Sequence, residues 1–280
     1  MLMRTRFGLA ISLVGVAVLA VAGPAAGAAA AGHSWAAASS AAVHPGVQTV
    51  TNSAQCTANF VFQGGSKVYI GQAAHCAAKG DATQTNGCTS ESLPIGTHVQ
   101  VSGASKPGVL AYSSWVTMQR IKEKDANSCA YNDLALVELD PADVGKVNPS
   151  MPVWGGPNGL NTSGLQQGDV VVTYGNSKLR AEASELNAKQ GTSLGDSGGG
   201  WSHTIRTSTP GIPGDSGSAV LDATGRAVGV LSTLNITTNI GTNNAGDLSR
   251  ELGYMHAHSS LRNVSLVTGT QDFRGTTAMP

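Results

Sequence analysis

Three side chains far apart along the chain have the types needed to hydrolyse an amide bond. Ser216 lies in residues 213–220, where glycines flank it in a tight turn that enters an apolar strand. His75 follows the apolar residues 68–70, and Asp133 opens another apolar segment. Amide hydrolysis near neutral pH needs a nucleophile, a base that takes its proton and a carboxylate that orients the base. The three residues supply one candidate for each role.

The turn around Ser216 also offers hydrogen-bond donors. The backbone amides of Gly214 and Ser216 can converge on one point, as stabilisation of a tetrahedral oxyanion requires. We therefore predict that these two amides form an oxyanion hole. Gly-Asp-Ser-Gly also occurs nineteen residues earlier, around Ser197, but it continues into the glycines at 198–200 instead of an apolar strand. Ser216 is therefore the favoured nucleophile, and Ser197 is assigned to a glycine-rich surface loop.

The beginning of the chain has the pattern of an export sequence. Arg4 and Arg6 precede an apolar run over residues 7–22, which small residues with Ala-x-Ala cleavage options follow. The run is shorter than the ~20 residues that span a bilayer. It predicts a signal peptide over residues 1–30, and hence a secreted, extracellular protein with no membrane insertion after cleavage. Residues 31–46, rich in alanine and serine, are predicted to be a propeptide or a loose N-terminal arm.

The cysteines indicate disulfides. They are even in number in a chain that the N-terminus predicts to be exported, which favours two bridges over a metal or redox site. Sequence spacing alone allows three pairings, and no Cys-x-x-Cys motif occurs, so no metal is expected. The four residues are Cys56, Cys76, Cys88 and Cys129.

The balance of acidic and basic residues indicates whether nucleic acid is a partner. The chain carries 17 basic and 17 acidic residues. Its first thirty residues contain two arginines and no acid, so the remainder has a net charge of 15 − 17 = −2. Such a balance does not attract a phosphate backbone. Nucleic acid is therefore not expected as a partner, and nothing in the sequence demands a cofactor.

The elements that must position these residues are predicted to be β-strands. From residue 47 onward, short segments alternate apolar and polar residues between clusters of Gly, Asn, Asp and Ser, which is typical of antiparallel sheets. A proline-rich passage at residues 140–152 indicates a crossing between two halves, with the boundary near residue 150. One helix is predicted near the C-terminus. Its cap is Asp247, and its apolar face comprises Leu248, Leu252 and Met255.

Three blocks of sequence, taken together, resemble a known family. They are Ala-Ala-His-Cys at 73–76, Asn-Asp-Leu-Ala-Leu-Val at 132–137 and Gly-Asp-Ser-Gly-Ser-Ala-Val at 214–220. Over about residues 47–260 the chain is similar to the chymotrypsin-like, trypsin-fold serine proteases, and particularly to secreted actinobacterial members.

The resemblance implies an all-β fold of two antiparallel β-barrels packed together, with the active site between them. Residues 47–150 would form the first barrel, and residues 151–280 the second barrel with the C-terminal helix. It also implies a monomeric serine endopeptidase that cleaves a polypeptide substrate through an acyl-enzyme on Ser216. The alternative is a protease-like fold that has lost catalysis and serves as a binding or surface protein.

The resemblance assigns further roles. His75 would act as the base and Asp133 as the acid that orients it, with Ser232 donating a hydrogen bond to Asp133. Cys56 would pair with Cys76 beside the base, which leaves Cys88 with Cys129. The family's usual zymogen amine, from an Ile-Val-Gly-Gly terminus, has no counterpart here. Asp215 must therefore find another partner, or the chain folds directly into an active form.

Substrate preference is inferred from the specificity pocket of the same family. Pro210 stands where trypsin-like members have the aspartate that selects Arg or Lys. Thr233 and Leu234 occupy a place where a glycine often opens the pocket, so Leu234 would narrow it. A small or medium apolar side chain is expected at P1. The remaining histidines are expected to have no catalytic role, and His98 and His203 are predicted to be plain surface residues.

Overall fold

The computed structural model describes residues 2, 33–80, 85–181 and 183–276 of the 280-residue chain. Met1–Gly32 separates from His33–Pro280 as a distinct unit, and only the second unit is described below. The predicted signal peptide over residues 1–30, apart from residue 2, lies outside the described residues. Within the described residues, no helix combines the length and apolar character needed to cross a bilayer.

The first half of the unit is an antiparallel sheet. In β5 (His98–Val101), Val99 and Val101 are buried while His98 and Gln100 are exposed, as the alternation predicts. A short C-terminal strand, β14 (Ser265–Leu266), completes the sheet. The strands are β1 (Gln48–Thr51), β2 (Ala54–Thr57), β3 (Val61–Gly64), β4 (Lys67–Ala73), β5 (His98–Val101), β6 (Gly108–Ser113), β7 (Leu134–Glu138) and β14 (Ser265–Leu266). Their order across the sheet is β14-β3-β4-β7-β6-β5-β1-β2.

Two helices that the sequence did not predict connect β6 to β7. The first, α1 (Ser114–Ile121), begins after Ser113, whose side chain accepts a hydrogen bond from the Val116 amide. The second, α2 (Ala126–Tyr131), is capped by Asp125 in the same way. Both are short, so their apolar periodicity extends over too few residues to stand out from the strands beside them.

The second half is a closed barrel of six antiparallel strands. Its strands are β8 (Val170–Tyr174), β9 (Ala188–Ser197), β10 (Ser202–Thr207), β11 (Ala219–Asp222), β12 (Ala227–Asn235) and β13 (Thr242–Asp247). They are hydrogen-bonded in the order β10-β13-β12-β11-β8-β9. Ser197, predicted to lie in a surface loop, instead ends β9, where it pairs with Ser202 of β10. The glycines that follow it form the tight turn between these two strands.

Helix α3 (Leu248–His258) follows the barrel, as predicted. The Asp247 carboxylate accepts a hydrogen bond from the Arg250 amide and so caps the helix. The helix buries Leu248, Leu252 and Met255 in an apolar cluster that also includes residues of the first half. Two packed β halves with a C-terminal helix confirm the predicted fold class.

Residues 33–46 pack against the first half. The Ala36 amide donates to the Val147 carbonyl at 2.9 Å, and Val43 exchanges backbone hydrogen bonds with residues 146 and 148. The Val43 side chain is fully buried. The Asn148 side-chain amide donates a hydrogen bond to the Ala36 carbonyl. This N-terminal arm therefore contributes both backbone pairing and apolar burial to the folded unit.

Candidate active site

Asp133 lies at the junction between α2 and β7, where it is 3% exposed. One carboxylate oxygen accepts a hydrogen bond from the His75 ring nitrogen Nδ1 at 2.7 Å. The other accepts from the His75 backbone amide at 2.8 Å. The Asp133 carbonyl accepts from the Ala74 amide at 2.6 Å. The carboxylate thus holds both the ring and the main chain of His75.

His75 lies in the 3₁₀ turn Ala74–Ala77 directly after β4, and the Cys56–Cys76 disulfide anchors this turn. Burial of the ring opposes protonation, but the Asp133 carboxylate outweighs it, so the pKa of His75 is raised above its ordinary 6.5. The side chain remains partly exposed on the cleft side. An imidazolium formed there is therefore stabilised while Nε2 stays within reach of a substrate.

Ser232 in β12 approaches Asp133 from the second half. Its hydroxyl donates to the carboxylate oxygen that also accepts from His75 Nδ1, at 2.5 Å. This bond joins residues 99 positions apart in the sequence. The Asp133 carboxylate is therefore contacted from both halves of the protein.

Ser216 lines the same cleft as His75 and Asp133. Its carbonyl accepts from the Thr57 amide at 2.8 Å, which joins the turn around Ser216 to β2. Among the described residues, its hydroxyl makes no hydrogen bond to His75. That bond commonly tightens only when substrate binds.

The Gly214 and Ser216 amides donate no hydrogen bond to any described residue. The Pro213 carbonyl, which shares a peptide unit with the Gly214 amide, accepts from the Ser177 hydroxyl at 2.5 Å. The Gly214 carbonyl, in the next peptide unit, accepts from the Thr57 hydroxyl at 2.8 Å and from the Gln55 side-chain amide at 3.1 Å. Gly214 has φ of +98°, and a Cβ there would lie 2.5 Å from the Gln55 side chain. Only glycine therefore fits at position 214. Because the Gly214 and Ser216 amides have no acceptor among the described residues, they are free to serve as donors.

Asp215 is fully buried behind this turn, and its partners were missing from the sequence predictions. Its carboxylate pairs with Arg180 at 2.8 Å and with Lys189 at 3.2 Å, and it accepts from the Ser177 amide. Burial lowers the pKa of Lys189, while the Asp215 charge acts in the opposite direction. No local pattern marks Arg180 or Lys189, because both reach Asp215 only through the barrel fold.

The cleft has a volume of about 780 Å³. Thr233 and Leu234, two predicted pocket residues, are part of its lining. Pro210, the third, is not among these lining residues, and its place in a specificity pocket stays a prediction. Its carbonyl instead accepts a hydrogen bond from Arg180 at 2.8 Å, so this part of the chain faces the Asp215 ion pair.

Asn243 in β13 is a pocket residue that the sequence did not suggest. Its side-chain amide donates to the carbonyls of Gly211 and Thr233 at 3.0 and 3.2 Å, and its side-chain oxygen accepts from the Gly211 amide. Asn243 therefore links two walls of the cleft, the segment at Gly211 and the strand at Thr233. A Cβ on Gly211 would meet the Leu231 side chain at 2.6 Å, so Leu231 fills the space beside that wall.

Both disulfides implied by the resemblance are present. Cys56 bonds to Cys76, and Cys88 bonds to Cys129. The sulfurs nearest His75 are thus bonded to each other and are not thiolates that could hold a metal.

His203 is not the surface residue that the sequence predicted. It is fully buried, with one ring nitrogen 2.6 Å from an Asp196 oxygen and the other 3.0 Å from an Asp247 oxygen. Burial opposes its protonation, but Asp247 and Asp196 outweigh burial and raise the pKa of His203. The prediction failed because Asp247 comes from β13, 44 residues away.

The chain is similar to known proteins in sequence and in fold. The trypsin-like peptidase domain family matches residues 56–230. No curated protein sequence matches the chain. Protease A of Thermobifida fusca matches over 82% of this chain and 100% of its own, with 18% identity and a TM-score of 0.51. A Cellulomonas bogoriensis chymotrypsin matches over 80% and 98%, with 19% identity and a TM-score of 0.47.

The fold and the site define the class of a chymotrypsin-like serine endopeptidase. The chain belongs to the trypsin-like peptidase domain family, whose match covers more than half of its length.

Proposed function

We propose that the chain is a secreted serine endopeptidase that cleaves polypeptides through an acyl-enzyme on Ser216. The Ser216 oxygen attacks the scissile carbonyl carbon while its proton passes to His75 Nε2. The tetrahedral intermediate collapses as His75 returns the proton to the leaving amine. Water then repeats the sequence, with His75 as the base, and releases the acid product.

The observation that carries this proposal is the arrangement of His75, Asp133 and Ser232 in the cleft that also contains Ser216. Asp133 holds Nδ1 of the imidazole at 2.7 Å, which directs Nε2 away from the carboxylate. It remains ionised beside the imidazolium formed during attack. Ser232 and the His75 amide satisfy the rest of the carboxylate, so little reorganisation is needed when the charge appears.

Gly214 and Ser216 would supply the oxyanion hole. Their amides have no competing acceptor within the described part of the chain. The carbonyls on either side of Gly214 are held, that of Pro213 by Ser177 and that of Gly214 by Thr57 and Gln55. Donors that are already in position stabilise the developing oxyanion, because they need not reorient when the charge appears.

A small or medium apolar P1 side chain is the proposed preference. In the described part of the cleft, the acidic and basic lining residues are His75 and Asp133, both engaged in catalysis. Leu231 and Leu234 narrow the pocket, and Asn243 uses its polar atoms on the pocket walls. A charged P1 group would therefore lose its hydration without gaining a partner.

Secretion is supported by two independent features. Residues 1–30 have the composition of a signal peptide, and the folded unit contains two disulfides. Disulfides persist in oxidising compartments and are rare in the cytosol. The enzyme would act outside the cell as a monomer, with neither nucleic acid nor a membrane as partner.

Labelling with a fluorophosphonate probe tests the nucleophile. The secreted protein should be modified at Ser216, and His75→Ala should abolish labelling because the hydroxyl loses its base. Ser216→Ala should lower kcat by about 10⁶-fold. Peptide mapping and turnover of a peptide substrate measure the two effects.

Ser197→Ala is the matched control, because Ser197 stands in the other Gly-Asp-Ser-Gly motif. It should leave kcat near the wild-type value. Labelling at Ser197 would overturn the assignment of the nucleophile, and absence of labelling in well-folded protein would favour an inactive binding protein.

A further inference from the structure

Glu251 is a fully buried carboxyl group in the first turn of α3, and the mechanism above gives it no role. One of its oxygens accepts a hydrogen bond from the Asp133 backbone amide at 2.8 Å. The other oxygen has no hydrogen-bond partner among the described residues. A buried carboxyl bonded to the main chain of a triad residue needs an explanation.

Every polar group of Asp133 has a partner, and its amide depends on Glu251. The carboxylate contacts His75 and Ser232, and the carbonyl accepts from Ala74. Asp133 lies where α2 has ended and the ladder of β7 has not begun, so neither element offers an acceptor for its amide. Glu251 supplies that acceptor from 118 residues away.

The surroundings leave room for a carboxyl group at this position. A Cβ on Gly246 would lie 2.5 Å from the Glu251 oxygen and 3.2 Å from the Tyr131 carbonyl. Glycine at 246 therefore allows the carboxyl to approach the chain at Asp133. Because Gly246 belongs to β13 and Glu251 to α3, the barrel and the helix together form this space.

Burial raises the pKa of Glu251 well above its ordinary 4.5. The Asp133 amide acts in the opposite direction, while the charges of Asp133 and Asp247 raise the pKa further. From β6, Tyr112 also faces this region, and burial together with Glu251 raises its pKa. A carboxyl that stays protonated satisfies the Asp133 amide without adding a second negative charge beside the triad.

We propose that Glu251 is a positioning residue for the triad: it holds the Asp133 main-chain amide and thereby keeps the carboxylate directed at His75. This inference deepens the proposed function and rests on it. Ser232 fixes the end of the Asp133 side chain, and Glu251 fixes its main chain. Both come from the second half, so the catalytic acid of the first half is held from across the interface.

Glu251→Met tests the proposal, because methionine has a similar length and lacks the carboxyl acceptor. We expect kcat to fall about 10- to 100-fold while KM changes little, by analogy with the loss of groups that orient metal ligands, because the interaction acts on the base and not on substrate binding. The acid limb of the kcat/KM profile should move to lower pH, because a poorly held carboxylate stabilises the imidazolium less. If this variant does not fold, Glu251→Asp, which withdraws the acceptor by one methylene, replaces it.

Glu251→Gln keeps an oxygen at the acceptor position and should retain most of kcat and the wild-type pH profile. Met255→Ala, in the same helix and equally buried, is the structural control. It should lower the melting temperature and leave both kcat and the profile unchanged. Wild-type kcat and profile in Glu251→Met, or an equal kcat loss in Met255→Ala, would overturn the proposal.

The protonation state has its own measurement. The unfolded chain releases the Glu251 proton near pH 4.5, whereas the folded protein retains it to a higher pH. The stabilising effect of this raised pKa is complete below 4.5 and is lost as pH rises towards the folded value. Glu251→Gln should therefore gain stability relative to wild type as pH rises, and a constant difference would contradict a protonated Glu251. Failure of the proposed function is distinguishable, since wild-type Ser216 would then not be labelled.

Discussion

Asp215, next to Ser216, is a buried carboxylate that contacts two basic side chains of its own chain. Arg180 and Lys189 both contact it, and the Ser177 amide adds a hydrogen bond. A buried charge without partners would be strongly unfavourable, so these contacts hold the turn that carries Ser216. An amine released by cleavage, as in the family's usual zymogen switch, is not needed to neutralise Asp215.

At the same scale, Leu234 is expected to limit the size of the P1 side chain. Leu234→Gly should raise kcat/KM for a P1 phenylalanine relative to alanine by about tenfold, because each methylene accommodated in an apolar pocket contributes a substantial factor. A series of peptide anilides that differ only at P1 measures this ratio.

Ile240→Gly is the control for Leu234→Gly. It removes an apolar side chain that is 72% exposed and is not part of the cleft lining. This variant should leave the ratio unchanged. The proposed role of Leu234 would be wrong if its own replacement did not alter the preference.

At the scale of elements, the N-terminus of α3 links two buried polar groups. Asp247 caps the helix and also contacts His203 of β10. One turn further along, Glu251 holds the amide of Asp133. The same helix end thus contacts His203 of the barrel through Asp247 and the main chain of Asp133 through Glu251.

His203 should make stability depend on pH. Its pKa is raised in the folded protein, so its contribution is complete below the unfolded value of about 6.5 and is lost as pH rises through the folded value. The melting temperature of wild type should exceed that of His203→Gln by more at acid than at alkaline pH. Thermal melts from about pH 5.5 to about pH 9, which bracket ordinary histidine titration, test this.

His98→Gln is the matched control, because His98 is exposed in β5. Its melting temperature should stay close to that of wild type, because an exposed side chain loses few contacts when it is replaced. If the His203→Gln difference did not change with pH, His203 would not be an ionised bridge between Asp196 and Asp247.

At the scale of the whole molecule, the cleft depends on bonds between the two halves. His75 and Asp133 come from the first half, and Ser216 and Ser232 come from the second. Thr57 bonds to Ser216 and to Gly214 across the same boundary. The two halves also share an apolar cluster, which holds them together.

The N-terminal arm should belong to the active enzyme. Deleting residues 33–46 removes the buried Val43 side chain, whose burial contributes about 1.5–3 kcal/mol, and its backbone pairing with residues 146–148. The melting temperature should fall by about 5 °C or more, given about 2–4 °C per kcal/mol for a domain of this size. Thermal melts of the secreted protein measure the loss.

A chain beginning at residue 35 retains the contacts of Ala36 and Val43 and serves as the control for this deletion. Its melting temperature should match that of the chain that begins at residue 33. N-terminal sequencing of the secreted enzyme should find a start before Ala36. A mature enzyme that begins at residue 47 with undiminished stability would identify the arm as a propeptide.

The sequence by itself determined the class of the protein and the candidate triad. Its strands were recognisable because burial on one face of a sheet leaves a period of two, and the motifs around His75 and Ser216 are local runs of residues. The disulfide pairing followed from the family resemblance, since spacing alone left three arrangements. The C-terminal helix was recognisable from its cap and apolar spacing.

Only the tertiary structure decided which distant groups meet. Lys189 and Arg180 reach Asp215, His203 reaches Asp247, and Glu251 reaches Asp133, and none of these pairs follows from a local period or motif. The reason is that a buried polar group must find its partner wherever the fold brings one, whatever the distance along the chain. The spacing of residues along the chain therefore does not predict such pairs.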